Sequence, residues 1–161
     1  MSERPDVGDL MPDVALEGPD SAPLRPSDFR GRKWVLYFYP KDDTPGCTTE
    51  ALDFSALKPR FDAAGVALLG VSRDPAAKHA KFTAKHELTV PLATDPEEGG
   101  LAEALGIWVE KALYGRRYMG MERTTYLVDA EGRIAKVWRK VKVKGHAEEV
   151  LAAALDQTGA L

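Results

Sequence analysis

One cysteine, Cys47, is the residue of this sequence best suited to covalent chemistry, and it lies in a polar segment. Residues 40–50 read Pro-Lys-Asp-Asp-Thr-Pro-Gly-Cys-Thr-Thr-Glu. An ionised, accessible thiol is a nucleophile and a redox centre, whereas a thiol packed among apolar groups is inert. A single cysteine cannot form an intrachain disulfide or a multi-cysteine zinc site. Three interpretations remain: an inert core thiol, a reactive thiol, or a thiol that pairs with another molecule.

The residues just before Cys47 predict the start of a helix. Thr44 is a suitable N-cap and Pro45 fits the first helical position, which places Cys47 in the first turn. Unpaired backbone N–H groups and the positive end of the helix dipole favour a thiolate there. A turn rich in Pro, Gly and polar residues also packs poorly around an inert thiol. The local sequence therefore favours a reactive Cys47.

The elements around this segment indicate a strand, a helix and a second strand. The apolar runs 34–39 and 66–71 have the length of strands that are buried on both faces. Between them, over 51–64, apolar residues recur at three- and four-residue steps, as on one face of a helix. We expect Pro59 to kink or end that helix. Asp-Pro pairs predict two more helices, over 75–87 and 96–105.

The remaining sequence predicts a β-hairpin and a last helix. Segments 124–128 and 133–143 are strand-like and flank a turn that ends in Gly132. The second strand alternates apolar residues with lysines and Trp138, so we expect a solvated or edge face there. Residues 147–155 form an amphipathic helical pattern.

These elements together predict an α/β protein with a thioredoxin-like fold, in which helices flank a mixed β-sheet. Prolines that interrupt short apolar pieces before residue 27 predict an N-terminal β-hairpin extension. At 161 residues, with 44% hydrophobic and 29% charged residues, we expect one domain over 1–161.

Composition also limits the partners. The net charge of −3 gives no general reason to bind nucleic acid, and we expect none. There is no secretory signal pattern and no apolar run near the roughly 18 residues that a membrane span needs, so we expect a cytoplasmic protein without a membrane partner.

Segment 40–47 has the spacing Pro-x-x-x-Thr-x-x-Cys, which resembles the active-site signature of the peroxiredoxins. The longer stretch 38–54 is similar to the bacterioferritin comigratory protein (PrxQ) subfamily, and the similarity continues through 114–120 and 123–129. The resemblance implies a thiol peroxidase that reduces hydrogen peroxide and organic hydroperoxides without metal, haem, flavin or any other cofactor.

The resemblance also implies roles for individual residues. Cys47 would attack the peroxide, and Arg123 would stabilise its thiolate and help hold the substrate. Thr44 would offer a hydroxyl to both groups, and Pro40 would shield the site. Gly46 would let a backbone N–H approach the substrate closely.

Two positions near the cysteine need separate comment. Glu50 would either orient Arg123 and the substrate or complement the helix dipole. Many members of the subfamily have a resolving cysteine five residues after the reactive one, where this sequence has Leu52. The resolving cysteine is absent, so a sulfenic acid on Cys47 would need an external reductant: thioredoxin, glutaredoxin or a low-molecular-weight thiol. We expect a monomer or a weak homodimer.

Two other functions stay open at this point. A cysteine hydrolase would need a histidine base near Cys47. A non-catalytic thioredoxin-fold holdase or redox-sensing module would not need the thiol for turnover. His79 and His86 lie two helical turns apart, which does not suit a metal pair, and we expect them to be solvated. His146 is expected near the start of the last helix.

Overall fold

Strand Trp34–Phe38 lies inside a mixed β-sheet, with a paired strand on each side. The computed structural model that shows this sheet describes residues 4–19, 22–96 and 99–156. The described strands are β1 (Leu16–Glu17), β2 (Pro23–Leu24), β3 (Trp34–Phe38), β4 (Ala67–Ser72), β5 (Leu92–Thr94), β6 (Trp108–Leu113), β7 (Arg116–Met121), β8 (Thr124–Val128) and β9 (Ile134–Trp138). The described helices are α1 (Pro45–Ala63), α2 (Ala76–His86), α3 (Leu101–Ala104) and α4 (His146–Leu155).

The strand order of the main sheet is β2-β1-β5-β4-β3-β8-β9. Strand β3 pairs in parallel with β4 and antiparallel with β8, so the sheet is mixed. The antiparallel pair β1–β2 forms the N-terminal hairpin at one edge. This arrangement confirms the predicted thioredoxin-like fold with an N-terminal extension. Among the described residues, no helix combines the length and apolar character that crossing a bilayer requires.

Helices cover both faces of the sheet, which explains why β3 is apolar without interruption. Alternate strand residues point to opposite faces. Val35 and Tyr37 pack in a cluster with α1 and α4, here called the α1–α4 core. Leu36 and Phe38 pack on the other face with α3. The start of α1, where the cysteine lies, is therefore held on a rigid, buried strand.

Helix α1 continues through Pro59 to Ala63, so the expectation that the helix ends at the proline was wrong. Proline has no N–H to donate to the carbonyl of Ser55, four residues earlier. The Thr89 hydroxyl donates to that carbonyl at 3.2 Å, and the Thr89 backbone N–H donates to the Ser55 hydroxyl at 3.0 Å. A side chain from outside the helix thus replaces the missing bond.

The two helices predicted at Asp-Pro pairs begin later than expected. Helix α2 begins just after Pro75, and α3 begins only at Leu101 rather than at Pro96. The Asp95 carboxylate accepts hydrogen bonds from the backbone N–H groups of Leu101 at 2.7 Å and Ala102 at 3.1 Å. It caps α3 from a distance because the intervening chain is not helical at its described residues.

Strand β9 lies at a sheet edge as expected, but it ends at Trp138 and is shorter than the predicted 133–143. Lys140, with φ of +48°, takes a left-handed conformation that ends the extended chain. Trp138 is half-buried, with the exposed Lys136 ammonium 5.2 Å from its ring. Its ring packs against the α1–α4 core and meets the His146 ring edge-on at 5.8 Å.

Strands β6 and β7 form a separate hairpin that the sequence analysis did not predict. Its two turn residues, Tyr114 and Gly115, have φ of +52° and +78°, as a type I′ turn requires. Glycine readily takes that conformation, but tyrosine is an unusual residue for the first turn position. The turn signal in the sequence is therefore weak.

Gly70 in β4 determines how closely α1 approaches the sheet. A β-carbon at Gly70 would lie 2.6 Å from the Tyr37 ring and 2.9 Å from Leu92, and Tyr37 stacks on Phe54 of α1 with ring centroids 4.6 Å apart. We expect Gly70→Ala to lower the free energy of unfolding by about 1–3 kcal/mol, the usual cost of overpacking. Urea denaturation measures this change.

Gly120→Ala in β7 is the matched control. The nearest atoms to its β-carbon would be side-chain atoms of Lys111 and Tyr118, at 3.2 and 3.4 Å. Alanine is favoured over glycine inside a strand, so an equal loss of stability in both variants would show that the Tyr37 contact is not the cause.

Candidate active site

The loop that leaves β3 leads directly into the first turn of α1, as the sequence predicts. Thr44 is the N-cap residue, Pro45 occupies the first turn, and Cys47 follows in the same turn. Pro45 and Gly46 are exposed, but Cys47 is only 1% exposed. The thiol therefore lies just beneath a surface formed by its own helical turn.

The Arg123 guanidinium bridges Cys47 and Glu50. Its Nη2 donates to the Cys47 Sγ at 3.2 Å, and its Nη1 donates to the Glu50 Oε1 at 2.6 Å. Arg123 immediately precedes β8, whose first residue pairs with the last residue of β3. The Arg123 carbonyl accepts a hydrogen bond from the Val141 backbone N–H at 2.9 Å. Sheet pairing thus brings a residue 76 positions away to the cysteine.

Burial determines the electrostatics of this bridge. Burial raises the pKa of Glu50 to about 7, although the neighbouring Arg123 acts in the opposite direction. Burial alone would lower the pKa of Arg123, but the charges of Glu50 and Cys47 raise it above its ordinary value. The guanidinium remains a cation and favours a thiolate at hydrogen-bond distance. Of the two interpretations of Glu50, the contact favours the orientation of Arg123.

Gly46 and Thr44 precede Cys47 at the start of α1. A β-carbon at Gly46 would be 3.3 Å from the Arg123 Nη2, so glycine leaves room for the guanidinium. The Thr44 hydroxyl is half-buried and donates to the Lys41 carbonyl at 2.9 Å. It has one proton, so donation to a thiolate or a peroxide requires a rotation of the hydroxyl. Pro40 is exposed at the start of the loop.

A buried polar cluster lies behind the loop, and the sequence analysis missed it. The Asp42 carboxylate accepts from the Tyr39 hydroxyl at 2.6 Å and lies 2.6 Å from the His79 Nδ1. The expectation that His79 is solvated was wrong, because His79 is only 5% exposed. His86 is half-buried and bonds to Asp43 at 2.9 Å. A lone histidine on a predicted helix gives no signal for such a contact, since its carboxylate partner is distant in sequence.

His146 begins α4, as expected, and is buried. Its Nε2 is 2.9 Å from the Thr125 hydroxyl, and its ring meets Phe54 edge-on at 6.0 Å. In the described part of the chain, Arg123 is the hydrogen-bond partner of the Cys47 sulfur, and no histidine takes the place of a general base. The described residues also contain no group of side chains that could hold a metal ion.

An open groove of about 670 Å³ runs along the exposed side of the first turns of α1. Pro45, Gly46 and Thr49 line one wall, and Lys144 and Glu148 line the other. The groove thus carries charges of both signs beside the helical turn that covers the thiol.

Comparison with known proteins agrees with this fold. The sequence profile of the AhpC/TSA family matches residues 7–137. The chain is 48% identical over 146 residues to peroxiredoxin Bcp of Bacillus subtilis, covering 91% of this chain and 92% of that protein. The crystal structure of a variant of Xylella fastidiosa PrxQ superposes with a TM-score of 0.87 at 40% identity, covering 94% and 96% of the two chains.

A third relative is informative about activity. The Xanthomonas campestris bacterioferritin comigratory protein, studied structurally for its alkyl peroxide reduction, has a TM-score of 0.82 and 43% identity, covering 91% of this chain and 97% of that one. The chain belongs to the AhpC/TSA family, and it is a peroxiredoxin, that is, a thiol-dependent peroxidase. Within the family it is similar to the Bcp or PrxQ proteins and has one cysteine.

Glu50 should make stability depend on pH. A carboxyl whose pKa is higher in the folded than in the unfolded state stabilises the fold below the unfolded pKa, and this contribution is lost as the pH rises through the folded pKa. With Glu50 raised from 4.5 to about 7, the free energy of unfolding should fall between pH 4.5 and 7 by on the order of 3 kcal/mol.

Denaturant unfolding at pH 5 and pH 8 measures this, with Glu50→Gln as the comparison and Cys47→Ser in both proteins to remove thiol ionisation. The glutamine variant should lose less stability between the two pH values. Parallel losses in both proteins would contradict the raised pKa of Glu50.

Proposed function

We propose that Cys47 is the peroxidatic nucleophile of a one-cysteine peroxidase and that Arg123 is its charge partner. The observation that carries this proposal is the 3.2 Å hydrogen bond from Arg123 to the sulfur in a buried site. A guanidinium at that distance offers the sulfur a charge-assisted hydrogen bond, which is the contact a nucleophilic thiolate needs.

In the first step, the Cys47 sulfur attacks one peroxide oxygen in line with the O–O bond. An S–O bond forms, the O–O bond breaks, and the departing oxygen takes up a proton and leaves as water or an alcohol. Arg123 and the backbone N–H groups near Gly46 face the negative charge that develops on that oxygen. The Thr44 hydroxyl turns from Lys41 to donate to the substrate, while Pro40 limits access of water.

In the second step, an external thiol attacks the Cys47 sulfenic acid. Water leaves, a mixed disulfide forms, and a second thiol releases the reduced cysteine. A dithiol protein such as thioredoxin can supply both thiols, whereas glutathione must act twice or together with glutaredoxin. The lack of a second cysteine supports this route.

Reduction from outside requires the sulfur to become accessible, because Cys47 is 1% exposed. We propose that the first turn of α1 opens locally and that the reductant approaches along the groove lined by Pro45, Thr49 and Lys144. Both sides of that groove are near the turn that would move. The groove contains cationic and anionic side chains, which suits a thiol with charged termini.

The substrate range follows from the family and the site. Hydrogen peroxide needs no more than the groups around Cys47, and the activity described for the Xanthomonas campestris relative supports alkyl hydroperoxides as further substrates. One domain over 1–161, a monomeric or weakly dimeric state and a cytoplasmic location stay predictions from the sequence.

The direct test is consumption of hydrogen peroxide by the purified protein with dithiothreitol, measured beside Cys47→Ser. We expect turnover in the wild-type protein and none above background in the variant, because the serine hydroxyl remains protonated and is a poor nucleophile toward peroxide. Equal turnover in both proteins would exclude Cys47 as the nucleophile. Absence of turnover in the wild-type protein would favour the holdase or sensor interpretation.

A one-cysteine site should also be sensitive to excess peroxide. Without a second cysteine to trap the sulfenic acid, further oxidation to sulfinic acid competes with external reduction. Intact-mass spectrometry after peroxide titration without reductant should show a gain of two oxygen atoms, absent in Cys47→Ser. A spectrum that contains only adducts reversible by dithiothreitol would contradict this expectation.

A further inference from the structure

Two consecutive residues of the active-site loop are bonded to α2 rather than to the helix that carries the cysteine. The Asp42 carboxylate lies 2.6 Å from the His79 Nδ1. The exposed Asp43 carboxylate accepts from Lys85 at 2.8 Å and bonds to His86 at 2.9 Å. The peroxidase steps described above use none of these side chains. The contacts therefore need an explanation of their own.

The inner contact is fully buried and fully hydrogen-bonded at the histidine. Asp42 is 2% exposed and His79 is 5% exposed. The His79 Nε2 lies 3.0 Å from the carbonyl oxygen of Ala93 in β5, so both ring nitrogens face oxygen acceptors. The Ala93 carbonyl can only accept, so Nε2 donates to it, and Nδ1 is left for the short contact with Asp42.

This contact fixes the loop at a point close to the cysteine. The Asp42 backbone N–H donates to the Asp74 carboxylate at 2.8 Å, so the main chain is held together with the side chain. The Thr44 hydroxyl bonds to Lys41, which precedes Asp42. Separation of this buried hydrogen-bonded pair would leave polar atoms without a partner, which costs free energy, so Asp42 is held against His79. The start of α1 is thus tied to α2.

We propose that His79 is a positioning residue: its Nδ1 hydrogen bond with Asp42 fixes the loop that begins α1 and thereby sets the Cys47 sulfur against the Arg123 guanidinium. This inference rests on the nucleophilic role proposed for Cys47. Small displacements of a reacting group can cost about a hundredfold in rate, so the loss of one anchor should be measurable.

The test compares two substitutions of similar chemistry. In His79→Asn the side-chain amide lies near the former Nδ1 and can still donate to Asp42. In His79→Gln the amide reaches toward the former Nε2 and the Ala93 carbonyl instead. The measurement is the second-order rate of Cys47 oxidation by hydrogen peroxide in the full chain, followed by quenched-flow mass spectrometry. Thiolate absorbance against pH and the thermal midpoint are recorded for each protein.

We expect His79→Gln to slow oxidation on the order of tenfold or more and His79→Asn to stay within about threefold of the wild-type rate. A second pair of variants changes Asp42 instead of His79. Both variants remove the carboxylate, so neither leaves it without a partner, and the test can still be made if His79→Gln does not fold. Asp42→Ser removes the bond and should slow oxidation as much. Asp42→Asn can donate to a neutral His79 and should retain the rate.

The outcomes separate two kinds of failure. Equal rates within each folded pair, or rates that follow only the thermal midpoint, would overturn the positioning role of His79. A wild-type Cys47 that does not react with peroxide would instead overturn the proposed nucleophile. The ratio within each pair tests the inference, and the wild-type rate tests the role on which it rests.

Discussion

A half-buried guanidinium shared by a buried thiol and a buried carboxylate is the interaction on which this molecule depends. Arg123 bonds to Cys47 and to Glu50 at the same time. At Glu50 the cation favours the carboxylate and burial opposes it, and the pKa raised to about 7 shows that burial has the larger effect there. Fold, helix start and strand pairing together maintain this arrangement.

The sequence predicts much of this because its strongest signals are local. The continuous apolar run of β3, the Thr44–Pro45 helix start and the glycine turn before β9 each specify structure within a few residues. The position of Cys47 follows from them. The role of Arg123 could not be predicted in this way, because no local pattern connects a residue before β8 with the start of α1. That prediction came from the resemblance to the peroxiredoxins. Sheet pairing makes that connection.

The features that the sequence could not predict also depend on contacts between separate segments of the chain. The carbonyl freed by Pro59 receives its donor from Thr89, and the carboxylate that bonds to His79 lies in the active-site loop. Helix α3 begins late because its capping carboxylate, Asp95, lies six residues before Leu101. In each case the partner lies outside the local pattern, so propensity and spacing give the wrong answer while hydrogen-bond satisfaction gives the right one. The expectation of a solvated His79 failed for this reason.

The edge-on contact between Trp138 and His146 gives the protein an internal optical reporter. His146 also meets Phe54, which lies two helical turns beyond Cys47 on α1, so a continuous aromatic path joins the indole to the catalytic helix. The other two tryptophans, Trp34 and Trp108, pack on the opposite side of the sheet. The indole emission of Trp138 is thus sensitive to the environment of α1. Trp34 and Trp108 supply a background from the other side of the sheet.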